Sequence, residues 1–126
     1  MKYLLVYYGG GMPETPAAQA RVLKQWDKWF SKLGPAVVDG GNPFSGAVNK
    51  IKPDGTIAKG PIGQRATGYS ILEAGSLDKA TKMAKGCPII KSGGQIAGYE
   101  TFNIPHAFEG EGGRPRVAKW PIGSPS

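Results

Sequence analysis

The sequence predicts an α+β protein with the ferredoxin-like order βαββαβ and an added hairpin strand between its two halves. Two segments, residues 1–39 and 69–104, each read as a strand, a helix and a second strand. Between them, extended runs flank Pro53-Asp54-Gly55, and Asp-Gly between such runs is a hairpin signal. Two βαβ halves joined by antiparallel hairpins are typical of a sandwich whose helices cover one sheet face.

The first half begins with a strand from Lys2 to Tyr8 that is apolar on both faces. Its six-residue apolar run is shorter than the core of a secretory signal and ends in glycines. Thr15 can cap the next helix with Pro16 at its first position, and Gly34-Pro35 ends it. This helix carries one apolar stripe: Val22, Trp26, Trp29, Phe30 and Leu33.

The remaining elements follow from turn and cap signals. Glycines bound a strand from Tyr69 to Ala74, Ser76 caps a second helix, and Gly86 with Pro88 stops that helix. The other predicted strands are residues 36–39, 47–52, 56–59 and 95–104.

Both faces of the first strand are apolar, but the two helices cover only one face of the sheet. A second copy packed sheet against sheet would bury the other face, so the sequence predicts a homodimer. We expect one domain over residues 1–104 and a C-terminal extension over residues 105–126 that is either loose or docked on the partner subunit.

The composition excludes few functions. The net charge is +7, from 16 Lys and Arg against 9 Asp and Glu, but the basic residues are spread along the chain with no base-reading motif. Nucleic acid is therefore an unlikely partner. One cysteine forms no internal disulfide, and no apolar stretch approaches the roughly 20 residues of a membrane span. We expect a cytoplasmic protein with no membrane partner.

Several motifs in order resemble the YCII-related proteins, in the branch named for its Asp-Gly-Pro-Phe motif. The resemblance spans about residues 1–104 and rests on the strand start Met-Lys-Tyr-Leu-Leu-Val-Tyr-Tyr-Gly, the Pro-Asp-Gly hairpin, and the segments at residues 59–62, 68–74, 76–80, 84–88 and 93–96. It implies a dimeric α+β barrel, usually a small cytoplasmic bacterial protein of unsettled biochemical role.

The chain departs from the family at the motif itself. Lys59-Gly60-Pro61-Ile62 stands in place of Asp-Gly-Pro-Phe, which turns a carboxylate into a cation. The reversal suggests an anionic ligand, with Lys59 and Arg65 as electrostatic partners and Gln64 as a hydrogen-bonding residue. A simple turn between two strands explains Gly60-Pro61 equally well. A helical His proposed to act in related proteins has no counterpart in residues 16–33, so catalysis of that kind is doubtful.

Other residues complete the candidate site. Asp39 ends a strand just before Gly40-Gly41, where it would either face a cleft or cap the turn. Tyr8 and Tyr69 are further candidates for ligand binding. His106 has the unperturbed pKa nearest to neutral pH and is also a candidate, although a plain surface role is commoner for such a histidine. We predict no cofactor and no metal, because His106, Glu109 and Glu111 sit in a Gly-rich tail without rigid geometry.

Two functions remain open from the sequence. The first is a small-ligand protein with a pocket between the sheet, residues 9–16 and residues 59–65. The second is a dimeric regulatory or interaction module that contacts nucleic acid or an acidic protein through basic helix faces.

Overall fold

Four strands form the main antiparallel sheet, in the spatial order β2-β5-β1-β6. The computed structural model describes residues 1–11 and 13–103. Its elements are β1 (Lys2–Tyr8), α1 (Pro16–Leu33), a 3₁₀ turn (Gly34–Ala36), β2 (Val37–Asp39), β3 (Asn49–Ile51), β4 (Ile57–Lys59), β5 (Ala66–Glu73), α2 (Leu77–Ala84), α3 (Pro88–Lys91) and β6 (Gln95–Glu100).

This topology confirms the predicted ferredoxin-like α+β fold. The central strand β1 pairs antiparallel with β5 on one side and β6 on the other, while β2 pairs with β5 at the edge. The strands β3 and β4 form a separate two-stranded sheet, which is the added hairpin between the halves.

The bounds of α1 agree with the local signals in its sequence. The hydroxyl of Thr15 accepts a hydrogen bond from the Ala18 N–H at 3.2 Å, and Pro16 takes the first helical position. The helix ends at Gly34, whose φ of 59° lies in the region that glycine tolerates best.

The helices cover one face of the sheet. On β1 the side chains of Tyr3, Leu5 and Tyr7 point toward them, and Leu5 and Tyr7 pack in a buried core with Trp29 of α1 and Ala84 of α2. By strand alternation, the opposite face carries the other side chains of the central strands. It is apolar and partly exposed: Leu4, Val6, Ile71 and Tyr99.

The second helical region differs from its prediction. The helix α2 ends at Ala84, before Gly86 and Pro88, as predicted. Pro88 then occupies the first position of a short helix α3 that was not predicted, with Cys87 in extended conformation before it. Proline suits that position because the first-turn N–H groups have no intrahelical partner in any case. On α2 the side chains of Ala80 and Ala84 are buried, whereas Leu77 is 40% exposed.

None of the described helices is long and apolar enough to cross a bilayer. The predicted extension, residues 105–126, and with it His106, lies outside the described residues.

Candidate functional site

A cavity of about 450 Å³ lies between α1 and one end of the main sheet. Its walls come from the middle of α1, the glycine loop after β1, the loop after β2 and the beginning of β5. Those loops meet because β1, β2 and β5 all have an end on this side of the antiparallel sheet. The cavity therefore forms where several chain-distant segments converge.

Aromatic side chains build one wall of the cavity. The ring of Trp26 meets that of Tyr7 edge to face, with centroids 5.3 Å apart, and lies 5.8 Å from the ring of Phe30. The Trp29 ring lies 5.8 Å from that of Trp26, and its indole N–H donates to the Met83 carbonyl at 3.1 Å. Since Trp29 is buried and held by this bond, it supports the wall from behind.

A second aromatic pair borders the cavity on the sheet side. Phe44 and Tyr69, which both line it, stack with their ring centroids 6.0 Å apart. Phe44 is held close to β5 because its N–H donates to the Thr67 carbonyl at 2.9 Å. The loop after β2 is thus fixed to β5 at the cavity border.

Glycine at position 41 allows the loop after β2 to approach β5 closely. Gly41 has a φ of +74°, and a Cβ atom built on it would lie 1.7 Å from the carbonyl oxygen of Tyr69. The carboxylate of Asp39 accepts a hydrogen bond from the Gly41 N–H at 2.8 Å. Asp39 therefore stabilises the turn that forms this wall, as one of its two sequence interpretations predicts.

A buried hydrogen-bond chain lies beneath the aromatic wall. The Tyr7 hydroxyl donates to Ser70 Oγ at 2.7 Å, and Ser70 Oγ donates to the Gly40 carbonyl at 2.7 Å. Burial raises the pKa of the Tyr7 phenol well above its ordinary value, against the lowering effect of the Ser70 hydrogen bond. The phenol is therefore neutral near pH 7 and acts as a donor.

Cys87 is buried in the same core, and its thiol is not activated as a nucleophile. Burial raises the pKa of its thiol to about 11, and the hydrogen bond from the Ile89 backbone N–H offsets this only in part. At neutral pH the group is a thiol, which packs as a small apolar side chain.

The residues predicted for the site do not meet in one place. Of those within the described chain, Tyr69 lines the cavity and the others lie outside its lining. Tyr8 is half-buried at the end of β1, Lys59 pairs with Asn49 in the hairpin, Gln64 is exposed, and the Arg65 guanidinium donates to the Gly46 carbonyl. His106 is outside the described residues.

The cavity borders differ from those expected of the predicted pocket. Gly9 to Gly11 do line it, but residues 59–65 do not, and their place is taken by α1 and residues 40–44. The periodicity of α1 places Trp26 and Phe30 in the core stripe and does not indicate a cavity wall. The signal that could have found them is the crowding of three aromatic side chains into residues 26–30.

Metal ligands do not cluster in the part of the chain that the structure describes: no three His, Cys, Asp or Glu side chains are grouped there. The cavity instead offers aromatic faces, backbone groups of glycine-rich loops and the exposed carboxylate of Asp27. This arrangement can hold a small, mainly apolar molecule.

The fold and cavity define a class, the ferredoxin-like α+β proteins with a pocket between a helix and the sheet end. Neither any protein-family model nor any curated protein sequence matches the chain. A similar solved structure is 5-chloro-2-hydroxyhydroquinone dehydrochlorinase (TftG) from Burkholderia phenoliruptrix AC1100, in complex with 2,5-dihydroxybenzoquinone. The TM-score is 0.53 with 16% sequence identity, covering 84% of this chain and 98% of that chain. At this identity the likeness shows a shared fold.

Proposed function

We propose that this protein binds a small, ring-containing molecule in the cavity between α1 and the sheet. The observation that carries the proposal is the cavity itself, about 450 Å³ in volume and walled by Tyr7, Trp26 and Phe30. Small-molecule sites are typically concave, mainly apolar and roughly 300–1,000 Å³ in volume. Aromatic walls favour planar rings, which can stack or meet them edge to face.

The similar solved structure supports a ligand of this kind. Its protein is named as an enzyme and was solved with 2,5-dihydroxybenzoquinone, a compound with one six-membered ring. Together with the motifs at residues 68–74, 76–80 and 84–88, this likeness in fold supports assignment of the chain to the YCII-related proteins. We propose binding and assign no reaction to the cavity.

Blocking the cavity tests the proposal. Leu23 lines the cavity and is 55% exposed, so Leu23→Trp should fold while filling part of the volume. Leu77→Trp is the matched control, because Leu77 is also a partly exposed helical leucine but lies on α2, outside the cavity lining. Binding would be measured by calorimetric titration with a panel of one-ring and two-ring compounds.

We expect at least one compound of the panel to bind the wild-type chain and Leu77→Trp with equal affinity, and Leu23→Trp about tenfold more weakly or not at all. Equal affinity for Leu23→Trp would place the ligand elsewhere and refute the proposal. So would a panel in which no compound binds the wild-type chain.

We also propose that a second copy of the chain covers the open sheet face. Leu4, Val6 and Ile71 lie side by side there, and Tyr99 is 53% exposed. The helices pack on the opposite face, so these side chains receive no cover from them. A contiguous apolar patch of this kind is typical of an interface, and two such faces are self-complementary about a twofold axis.

A further inference from the structure

The charge of the cavity lining is of one sign, negative. Among the described residues, Asp27 is its one charged side chain, and no Lys or Arg lines it. The Asp27 carboxylate is exposed and makes no ion pair or hydrogen bond with any described side chain or backbone group. The carboxylate is therefore available to a ligand.

This lining contrasts with the rest of the chain, whose net charge is +7. The helix that carries Asp27 also carries Arg21, Lys24, Lys28 and Lys32, but none of these residues lines the cavity. Of the charged side chains on this helix, Asp27 is therefore the one that a ligand in the cavity meets directly.

The aromatic wall favours the same sign of ligand charge. The face of an aromatic ring carries negative potential, and indole attracts cations most strongly of the three aromatic side chains. Trp26, Tyr7 and Phe30 line the cavity within one interconnected cluster, and Asp27 lines the same cavity. Aromatic faces beside a carboxylate form the recognition pattern of organic ammonium ions.

We infer that the ligand of this cavity is an organic cation, a ring compound that carries a protonated or quaternary amine. The inference rests on the proposed function, since it names the ligand class of the same cavity. The ring fills the apolar volume, while the ammonium group lies against the Trp26 indole and the Asp27 carboxylate. The predicted anionic ligand near Lys59 and Arg65 would require a different site, because neither residue lines the cavity.

A series of three compounds that differ only in their head group tests the inference. Benzylamine is protonated at pH 7, benzyl alcohol is neutral and benzoate is anionic, while the ring is the same. Each would be titrated calorimetrically into the wild-type chain, Asp27→Asn and Asp78→Asn. Asp78 is an exposed helical carboxylate outside the cavity lining and serves as the matched control.

We expect the wild-type chain and Asp78→Asn to bind benzylamine about tenfold more tightly than benzyl alcohol, with benzoate weakest, the combined effect of one carboxylate and one cation–π contact. Asp27→Asn should lose most of the preference for benzylamine while its affinity for benzyl alcohol stays the same.

The outcomes separate the two proposals. If all three compounds bind the wild-type chain with similar affinity, or benzoate binds best, the cation inference is wrong while ligand binding in the cavity stands. If benzylamine is preferred equally by the wild-type chain and Asp27→Asn, the carboxylate has no role and the inference is also wrong. If none of the three compounds binds, both proposals fail for one-ring ligands.

Discussion

The phenol of Tyr7 and the hydroxyl of Ser70, 63 residues apart in the chain, share a buried hydrogen bond of 2.7 Å across β1 and β5. Ser70 Oγ in turn donates to the Gly40 carbonyl at 2.7 Å, so hydrogen bonds link β1, β5 and the loop after β2 beneath the cavity. Both side chains are buried, so a polar group that loses its partner there has little access to water.

Substitutions of Tyr7 and Ser70 in this hydrogen-bond network should lower the stability of the protein by different amounts. Tyr7→Phe removes a donor, but Ser70 keeps its bond to the Gly40 carbonyl, so we expect a loss of about 1 kcal/mol in the free energy of unfolding. Ser70→Ala leaves both the Tyr7 hydroxyl and the Gly40 carbonyl without a partner and should cost about 2–3 kcal/mol. Urea unfolding of the two variants and the double variant measures this. A larger loss of unfolding free energy for Tyr7→Phe than for Ser70→Ala would contradict an arrangement in which Tyr7 donates to Ser70 and Ser70 donates to Gly40.

The buried thiol of Cys87 should make the protein less stable in alkali. Its pKa rises from an ordinary value of 9.0 to about 11 in the folded chain. The unfolded chain thus releases this proton first, so the stabilisation is complete below pH 9 and is lost as the pH rises toward 11. The loss is at most about 3 kcal/mol, at 1.36 kcal/mol for each pKa unit.

Cys87→Ala isolates this contribution from those of other groups. We expect the free energy of unfolding of the wild-type chain to fall more steeply between pH 9 and 11 than that of Cys87→Ala. Parallel curves for the two proteins would show that the thiol does not contribute.

Gly41 should tolerate no side chain. Its Cβ would meet the Tyr69 carbonyl oxygen at 1.7 Å, and its φ of +74° adds backbone strain of about 1–3 kcal/mol for any other residue. Gly41→Ala should therefore displace the loop from β5, lower the melting temperature and weaken ligand binding in the cavity.

Gly55→Ala at the hairpin tip is the control for Gly41→Ala. Gly55 also has a positive φ, of +89°, but no atom lies within 4 Å of the position that a Cβ would take there, so this variant carries the backbone strain without the clash. We expect a smaller fall in melting temperature and unchanged ligand affinity. Equal losses in the two variants would mean that the close approach of Gly41 to β5 is unimportant.

The open sheet face should determine the oligomeric state. Val6→Lys places a charge in the middle of that face and should convert a dimer to a monomer, because an unpaired buried charge opposes packing. Leu77→Lys, at an exposed position on α2, should leave the dimer intact. Light scattering after size-exclusion chromatography gives the mass of each species. A monomeric wild-type chain would refute the proposed dimer.

The fold could be predicted from the sequence because its signals are local. Thr15-Pro16 and Gly34 set the ends of α1, and Asp54-Gly55 sets the hairpin turn, without reference to the rest of the chain. Gly86 and Pro88 were correctly predicted to follow the end of α2, but α3 was not predicted, because a proline that ends one helix also suits the first position of another.

The candidate site was harder to predict because it depends on the gap between distant segments. The spacing of Trp26 and Phe30 predicts that they lie on the inward face of α1. A helix face that packs on a core and one that borders a cavity have the same periodicity, so the spacing does not distinguish them. The separation of α1 from the loop after β2 decides between them, and that loop is held against β5 by the close approach of Gly41 to Tyr69.

The most direct test of the account is a nuclear magnetic resonance titration that follows the indole N–H signals of the tryptophans. Trp26 lines the cavity, whereas the Trp29 indole N–H is bonded to the Met83 carbonyl behind the wall. We expect benzylamine to shift the Trp26 signal saturably and more than the Trp29 signal, and this shift to disappear in Leu23→Trp. A Trp26 signal that stays unchanged at saturating ligand, or one that shifts equally in Leu23→Trp, would contradict ligand binding in the cavity.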